Sequence, residues 1–239
     1  MNAAFAVTKR EFKTFFISPI AYIVLGGFLL LLGWFYVSTL FIAGQASLRG
    51  FFGVAPWLFV LLVPAITMRA VAEERKSGTL ELLLTLPMDD WQITLGKFFA
   101  ALGMVAVALL CTLPYAFTVA GLTGPGPSFD WAQAFAGYFG LLLMASSFIA
   151  LGLWGSALSK NQIVGFIFGA VLCLAFMIID KFAPLLPDTL AGFFEFLSVD
   201  YHFENIARGV LDTRDLVYYL SITTIGLLMT GRTIQATRQ

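Results

Sequence analysis

A dense cluster of charged residues interrupts an otherwise apolar sequence between positions 72 and 98. These 27 residues carry eight of the 28 formal charges of the chain, which are 14 Lys or Arg and 14 Asp or Glu. The charges flank an apolar run that contains Leu80, Leu82, Leu83, Leu84 and Leu86. This run is apolar on nearly every side, so that a membrane surface alone would not satisfy it. We interpret the cluster as a contact surface for a partner protein; the alternative is an interfacial loop docked on lipid.

Other residues that could do chemistry lack the partners that their reactions require. The dipeptide Gly96-Lys97 has neither the upstream glycine nor the following Ser or Thr of a nucleotide-binding P-loop. The single histidine, His202, has one glutamate nearby, which is too few ligands for a metal site. Ser146 and Ser147 have no basic partner and are expected to join helix packing. The sequence therefore predicts a non-catalytic chain without a cofactor.

Long charge-free intervals predict the elements that hold this cluster in place. The sequence is 59% apolar and 12% charged, whereas soluble domains carry about 25% charged residues. Crossing a bilayer takes about 20 mostly apolar residues. Six intervals without Asp, Glu, Lys or Arg approach or exceed that length: 17–48, 50–68, 98–129, 131–159, 161–179 and 216–231. The prediction is an all-α integral membrane protein with six transmembrane helices, the last of which Leu211 could extend.

The distribution of basic residues predicts the orientation of these helices. With a cytoplasmic N-terminus, ten of the fourteen Lys and Arg residues fall on the inner side and four on the outer side. This bias agrees with the positive-inside rule, so both termini are expected in the cytoplasm. No ionisable residue is expected in the middle of a span, which disfavours a carrier driven by ions or protons.

The segments outside the predicted spans have helical signals of their own. Residues 3–16, within an opening segment 1–19, place four phenylalanines on one face and basic residues on the other, as in an interfacial amphipathic helix or a flanking anchor. The outer segment 180–215 suggests two short re-entrant helices that dip into the outer membrane face. Asp188 and Asp200 are the expected N-caps of these helices, and Gly209 is the expected end of the second.

Within the charged cluster, the pattern predicts a helix, a short cross-helix and a second long helix. The second span is expected to continue to Gly78, a helix stop. Thr79 is the expected cap of the cross-helix, which carries Glu81 in its first turn and stops near Pro87. Asp89 with Gln92 resembles a capping box that starts the next helix.

A pair of glycines, Gly165 and Gly169, occurs in the fifth predicted span with the spacing that lets two helices approach closely in lipid. The pair predicts either the seam of a dimer or a contact between helices of one subunit.

Two motifs resemble known membrane proteins. The run Glu73-Glu74-Arg75-Lys76-Ser77-Gly78-Thr79-Leu80-Glu81-Leu82-Leu83-Leu84-Thr85-Leu86-Pro87, followed by Gly96-Lys97, resembles the signature loop of ABC-2 type permeases. The stretch 203–220, FENIARGVLDTRDLVYYL, is similar to the gliding-motility-type subgroup. The resemblance implies one ABC-2 type transmembrane domain over 1–239, with a cytoplasmic coupling segment at 69–97.

By resemblance, the chain is expected to be the permease subunit of a bacterial ABC transporter in the inner (cytoplasmic) membrane, acting as an exporter. The expected partners are a separate ATPase subunit, a second permease subunit (identical or related), the lipid bilayer and a periplasmic auxiliary protein, with no nucleic acid. The residues expected to contact the ATPase are Glu73, Glu74, Arg75, Gly78, Thr79, Leu80, Glu81, Leu82, Leu83, Leu86 and Pro87. A non-transporting membrane scaffold and a stand-alone channel or carrier are the alternatives.

Overall fold

A computed structural model describes residues 3–42, 47–79, 89–122, 129–185 and 187–238, and these residues form helices without a β-strand. The α-helices are α1 (Ala3–Ile17), α2 (Pro19–Ile42), α3 (Arg49–Thr67), α4 (Ala72–Ser77), α5 (Asp90–Leu110), α6 (Leu113–Leu122), α7 (Trp131–Leu158), α8 (Gln162–Ile178), α9 (Asp188–Leu197), α10 (Val199–Ala207) and α11 (Thr213–Arg238). A 3₁₀ helix, Ile179–Leu185, connects α8 to α9. The expected cross-helix, with Leu80, Glu81, Leu82, Leu83, Leu86 and Pro87, lies outside the described residues.

Five helical stretches within the described ranges are long and apolar enough to cross a membrane. They are Pro19–Ile42, Arg49–Ser77, Asp90–Leu122, Trp131–Leu158 and Gln162–Leu185. They fall on the first five predicted spans and make this a multi-pass all-α membrane protein. The sixth predicted span corresponds to α11, a 26-residue helix that is not among these five. Its charged ends and its many hydroxyl side chains lower its mean hydropathy.

The helix α7 is the centre of the bundle. In the most apolar part of α7, 72% of the residues are buried inside the protein, against 17% for α2 and 22% for α8. The neighbours of α7 include α3, α4, α5, α8, α10 and α11. Because apolar side chains lose nothing by facing lipid tails, the exposed faces of α2 and α8 are compatible with lipid or with another chain.

The third predicted span is broken at Pro114, as the sequence suggests. Proline lacks an N–H and collides with the preceding turn, and α5 therefore ends at Leu110 before α6 begins at Leu113. Side chains satisfy the backbone at the break. The Thr112 hydroxyl donates to the Leu109 carbonyl over 2.7 Å, and the Tyr138 hydroxyl donates to the Thr112 carbonyl over 3.0 Å. Such partners are needed where no water can replace a lost helix bond.

Two short helices, α9 and α10, occupy the expected segment between the fifth and sixth predicted spans, but their caps differ from the prediction. Ser198, not Asp200, caps α10, because its hydroxyl accepts from the N–H groups of Asp200 and Tyr201. Pro187 precedes α9, and Asp188 is its first residue. Gly209, with a φ of 89°, follows α10 in the left-handed region, where glycine carries no Cβ penalty.

Candidate functional site

The helix α4 lies within the predicted coupling segment 69–97, of which residues 69–79 and 89–97 are described. The backbone leaves α3 at Thr67, turns through Met68–Val71 and re-enters a helix at Ala72. The predicted stop at Gly78 is present, since this residue is left-handed with a φ of 71°. The predicted capping box is absent: Asp89 is the N-cap of α5, but its side chain makes no capping hydrogen bond.

A serine of α7 caps α4 from outside its own chain segment. The Ser156 hydroxyl accepts from the N–H groups of Val71 and Ala72, over 3.2 and 3.1 Å, and donates to the Met68 carbonyl over 2.9 Å. The first N–H groups of a helix lack partners within that helix. Ser156 therefore fixes the start of α4 to the central helix of the bundle, and no local pattern in the sequence indicates this contact.

The side chain of Arg75 makes a second link between α4 and α7. Its Nη1 donates to the carbonyl of Ala157, in the last turn of α7, over 2.7 Å. A cation is favourable at this helix terminus because the carbonyl dipoles point towards it. Close by, Val71, Ala157, Ile93 and Ile234 form a small buried apolar cluster that joins α7, α5 and α11 to the start of α4.

A buried lysine joins α4 to α1 and α5. The Lys97 side chain is 2% exposed, and its Nζ lies 2.8 Å from Oε2 of Glu74 and 3.5 Å from Oε1 of Glu11. Arg10 completes the group, with its Nη2 3.2 Å from Glu74 and 2.9 Å from Glu11. Two cations and two anions thus balance at one point, as burial of charge requires. We call these four residues the ion-pair node.

Close packing of α1 along α5 brings the ion-pair node together. A Cβ on Gly96 would lie 2.6 Å from the side chain of Val7 and 3.1 Å from the carbonyl of Ala4. Only glycine therefore fits where α1 crosses the start of α5, one residue before Lys97. Glu11, which follows Arg10 on α1, turns towards Lys97.

The remaining predicted charge, Glu73, pairs with the end of α3. Arg69 donates to both carboxylate oxygens of Glu73, over 2.6 and 2.9 Å, and to the hydroxyl of Ser18 over 3.1 Å. This bidentate pair connects α3, α4 and the junction between α1 and α2. A fork of two parallel bonds has more defined geometry than a single ion pair.

The predicted contact residues thus divide into two groups. Glu73, Glu74 and Arg75 are partly buried and have partners inside the chain, whereas Gly78 and Thr79 are exposed, as are Lys76 and Ser77 between them. The exposed group leads directly into the leucine-rich run. A partner that contacts this end would meet Lys76–Thr79 first, and the inward-facing charges would connect that contact to α1, α3, α5 and α7.

The two glycines of the GxxxG pair lie against α7 of the same chain. A Cβ on Gly169 would lie 3.3 Å from the Cα of Gly152, and one on Gly165 would lie 3.3 Å from the Cα of Ser156. These distances describe backbones packed at the closest approach that glycine allows. Ser146 and Ser147 likewise pack between helices, because their hydroxyls contact Thr223 and the Tyr219 carbonyl of α11.

Comparison with known proteins identifies the family of this chain. Residues 38–199 match the model of a family described as ABC-2 family transporter protein. The chain is 31% identical over 125 residues to YbhR of Escherichia coli K12, a probable multidrug ABC transporter permease, and equally to YbhR of Escherichia coli O157:H7. The aligned part makes up 48% of this chain and 30% of the length of each relative.

The family match extends over the apolar helices α3, α5, α6, α7 and α8 and over α4 with its buried ion pairs. An apolar multi-helix bundle with a charged helix at one end is the arrangement expected of a transporter membrane domain. The chain belongs to the ABC-2 family of transporter membrane proteins.

Proposed function

We propose that the chain is the permease subunit of a bacterial ABC exporter, in which a separate ATPase subunit supplies the energy. The ATPase contacts the cytoplasmic segment 69–97, and two permease subunits form the complete membrane unit. The chain itself is non-catalytic and needs no cofactor. A periplasmic auxiliary protein completes the proposed set of partners. The stretch 203–220 favours the gliding-motility-type subgroup.

One observation carries this proposal: polar contacts, several of them buried or partly buried, fix α4 to α1, α5 and α7. Ser156 and Arg75 connect α4 to α7, and the ion-pair node connects it to α1 and α5. Glu73 adds a contact with Arg69, in the turn between α3 and α4. A displacement applied to the segment after Gly78 would therefore move several helices together, which is what a subunit driven from outside requires.

A sixth crossing by α11 agrees with its internal hydrogen bonds. The hydroxyls of Ser221, Thr223, Thr224, Thr230 and Thr233 each donate to the carbonyl four residues earlier, over 2.6 to 2.8 Å. Hydroxyls bonded in this way do not need water. A helix of 26 residues is about 39 Å long, and the bilayer core is about 30 Å thick. With six crossings both termini lie on the same side of the membrane, and the positive-inside bias favours the cytoplasm.

In the proposed mechanism, closure of the ATPase subunits displaces the leucine-rich run and α4. The movement passes through Glu74 and Lys97 to α1 and α5, and through Ser156 to α7. The two permease subunits then rock about a central path, alternately opening it to each side. Leu82, Leu83 and Leu86 provide the apolar contact, while Glu73, Glu74 and Arg75 transmit the movement from inside the protein.

The test is purification of the tagged chain from its native membranes, with identification of every bound chain. The expected result is a nucleotide-hydrolysing partner that remains attached to the wild-type chain. Leu83→Asp is expected to weaken that attachment roughly thirtyfold, because loss of an apolar anchor costs about 2 kcal/mol. Leu185→Asp, which changes an exposed leucine outside segment 69–97, serves as the matched control and should keep the partner.

Two outcomes would contradict the proposal. One is a native complex without any nucleotide-hydrolysing chain. The other is a Leu83→Asp chain that inserts normally and still retains the partner with wild-type affinity. A complex that hydrolyses ATP while no candidate solute moves in sealed vesicles would instead favour the scaffold over the exporter.

A further inference from the structure

A buried histidine lies between two oxygen atoms at the end of the bundle opposite to α4. His202 is 2% exposed. Its Nδ1 is 2.6 Å from Oδ1 of Asp215 in α11, and its Nε2 is 2.9 Å from the carbonyl oxygen of Phe196 in α9. The Tyr218 ring stacks on the imidazole with 3.9 Å between ring centroids. The imidazole thus bridges α9 and α11 from its position in α10.

These two contacts fix the number of protons that the pair must hold. A neutral imidazole has one N–H group and one bare nitrogen. If His202 were neutral and Asp215 ionised, one lone pair on nitrogen would face an oxygen lone pair. Both contacts are favourable only when the pair carries one more proton, either as imidazolium with carboxylate or as neutral imidazole with carboxylic acid. The two forms have the same proton count and belong to one coupled site.

The surroundings of the pair make the loss of this additional proton costly. The other carboxylate oxygen of Asp215, Oδ2, is buried without a hydrogen-bond partner in the described part of the chain. An isolated buried carboxylate is costly. The N-terminus of α11 offsets part of this cost, because Asp215 lies in its first turn. Loss of the shared proton would leave a buried carboxylate beside an uncharged ring, with one of the two contacts broken.

The other titratable groups around His202 are engaged elsewhere. The hydroxyls of Tyr218 and Tyr219 donate to the carbonyls of Leu197 and Val199. Tyr201, in α10, contacts the imidazole through its ring edge.

The nearest charged cluster joins α10 to the 3₁₀ helix. Lys181 lies 2.7 Å from Asp180 and 2.9 Å from Asp200. Burial raises the pKa of Asp200 above its ordinary value, and Lys181 opposes that shift. Glu195 in α9 and Arg214 in α11 form no ion pair with the two residues. Among the described side chains, His202 alone bonds the Asp215 carboxylate.

We propose that His202 and Asp215 form a proton-binding site that fastens α9 and α10 to the start of α11, and that loss of the proton releases them. The ligand of this site is a single proton, taken from the compartment that the outer segment faces. The outer segment keeps this arrangement while the pair holds its proton, and it loosens when a rise in pH removes that proton.

The single histidine of the sequence allows a direct test. Labelling with ¹⁵N-histidine gives a spectrum of His202 alone when the chain is reconstituted in lipid nanodiscs. At neutral pH, the expected spectrum shows Nε2 protonated and Nδ1 in a short hydrogen bond that shares the second proton with Asp215. The spectrum of a neutral ring protonated only at Nδ1, beside an ionised Asp215, would overturn the proposal.

Two substitutions at Asp215 distinguish the effect of the shared proton from the effect of the hydrogen bond to Nδ1. In Asp215→Asn, the side-chain amide can donate to Nδ1 while Nε2–H donates to Phe196, so that both bonds form without a shared proton. Asp215→Ala removes the Nδ1 bond altogether. Asp200→Asn is the control, because it removes the neighbouring carboxylate and leaves the pair intact.

The measurement is the midpoint of thermal unfolding from mildly acidic to mildly alkaline pH. Unfolded histidine releases its proton at about pH 6.5, and a folded state that keeps one more proton loses stability as the pH rises further. Wild type and Asp200→Asn should therefore fall by about 4 °C per pH unit above this point. Above the same pH, the unfolding midpoint of Asp215→Asn should stay constant. The midpoint of Asp215→Ala should be low throughout the pH range. A slope in Asp215→Asn equal to that of wild type would overturn the proposal.

Discussion

At the scale of single residues, Lys97 is the most deeply buried member of the ion-pair node. Its ammonium group is almost completely buried, and it is stable there only because Glu74 and Glu11 approach it from two other helices. A buried charge that loses its partner is more costly than an apolar side chain in the same place. Lys97 is thus a sensitive point at which to test whether α1, α4 and α5 depend on one another.

Lys97→Met is expected to lower the free energy of unfolding by about 3 kcal/mol, because it leaves two partly buried carboxylates with one arginine. The double variant Lys97→Met with Glu74→Met should recover most of this loss, since the remaining Arg10 and Glu11 still balance. Unfolding in detergent micelles measures both effects.

Lys76→Met is the control for removal of a lysine from α4, because Lys76 is exposed. It should change the stability by less than about 0.5 kcal/mol. Equal losses for Lys76→Met and Lys97→Met, or a double variant no more stable than the single one, would show that the ion-pair node has no special role.

At the scale of elements, the packing of α7 against α8 depends on glycine at the points of closest approach. A Cβ on Gly155 would lie 3.0 Å from the backbone nitrogen of Gly169. A backbone atom cannot move aside as a flexible side chain can, so an added methyl group must push the two helices apart. The GxxxG spacing indicates such a contact, whereas the identity of the partner helix depends on the fold.

Gly155→Ala is therefore expected to destabilise the protein by about 1 to 2 kcal/mol, despite the higher helix propensity of alanine. Gly27→Ala in α2 is the matched control, since its Cβ would meet no atom within 4 Å. The control should be neutral or slightly stabilising. If both variants unfold at the same temperature, the close approach of α7 and α8 does not limit stability.

Local signals in the sequence predicted most helices and several of their ends. Charge-free intervals located the five apolar stretches, and Gly78 predicted the end of α4. The break between α5 and α6 near Pro114 agrees with the kink that proline causes in a helix. The predicted N-cap of α10 was wrong by two residues. Ser198 and Asp200 are both good capping residues, and only Ser198 has the required geometry. Such choices depend on the orientation of the preceding backbone.

Contacts between distant segments were not predictable in the same way. Glu74 and Arg75 remain predicted contacts of a partner, and the sequence did not indicate that Lys97 and Ala157 would bond them within the chain. The one available signal was Lys97 itself, a charge at the edge of a 32-residue charge-free interval. Ser156 and the His202–Asp215 pair gave no signal, since nothing in a single sequence indicates which helices become neighbours.

At the scale of the whole molecule, the described polar groups concentrate at two opposite ends of an apolar bundle. One end holds α1, α4 and the ion-pair node. The other holds α9, α10 and the proton-binding site. The helix α7 runs between them, with Ser156 at the first end and Gln133, which donates to the Ala207 carbonyl, at the second. A movement of α7 would therefore displace contacting groups at both ends of the bundle.

Single cysteines test this arrangement across the membrane. With Cys111 replaced by serine, Thr213→Cys should react with a membrane-impermeant maleimide in intact spheroplasts, whereas Ser77→Cys and Ala236→Cys should react only after lysis. All three positions are exposed, so the side of the membrane decides the result. Labelling of Ala236→Cys from the same side as Thr213→Cys would show that α11 does not cross.

The break at Pro114 leaves one thiol at the surface of the unmodified chain. Cys111, directly after α5, is exposed, whereas Cys173 is buried against Phe148 of α7. A nitroxide or a fluorophore would attach to Cys111 alone. Dipolar spectroscopy on the natural sequence could then measure the spacing between two copies in a membrane and follow it through a cycle of nucleotide binding and hydrolysis.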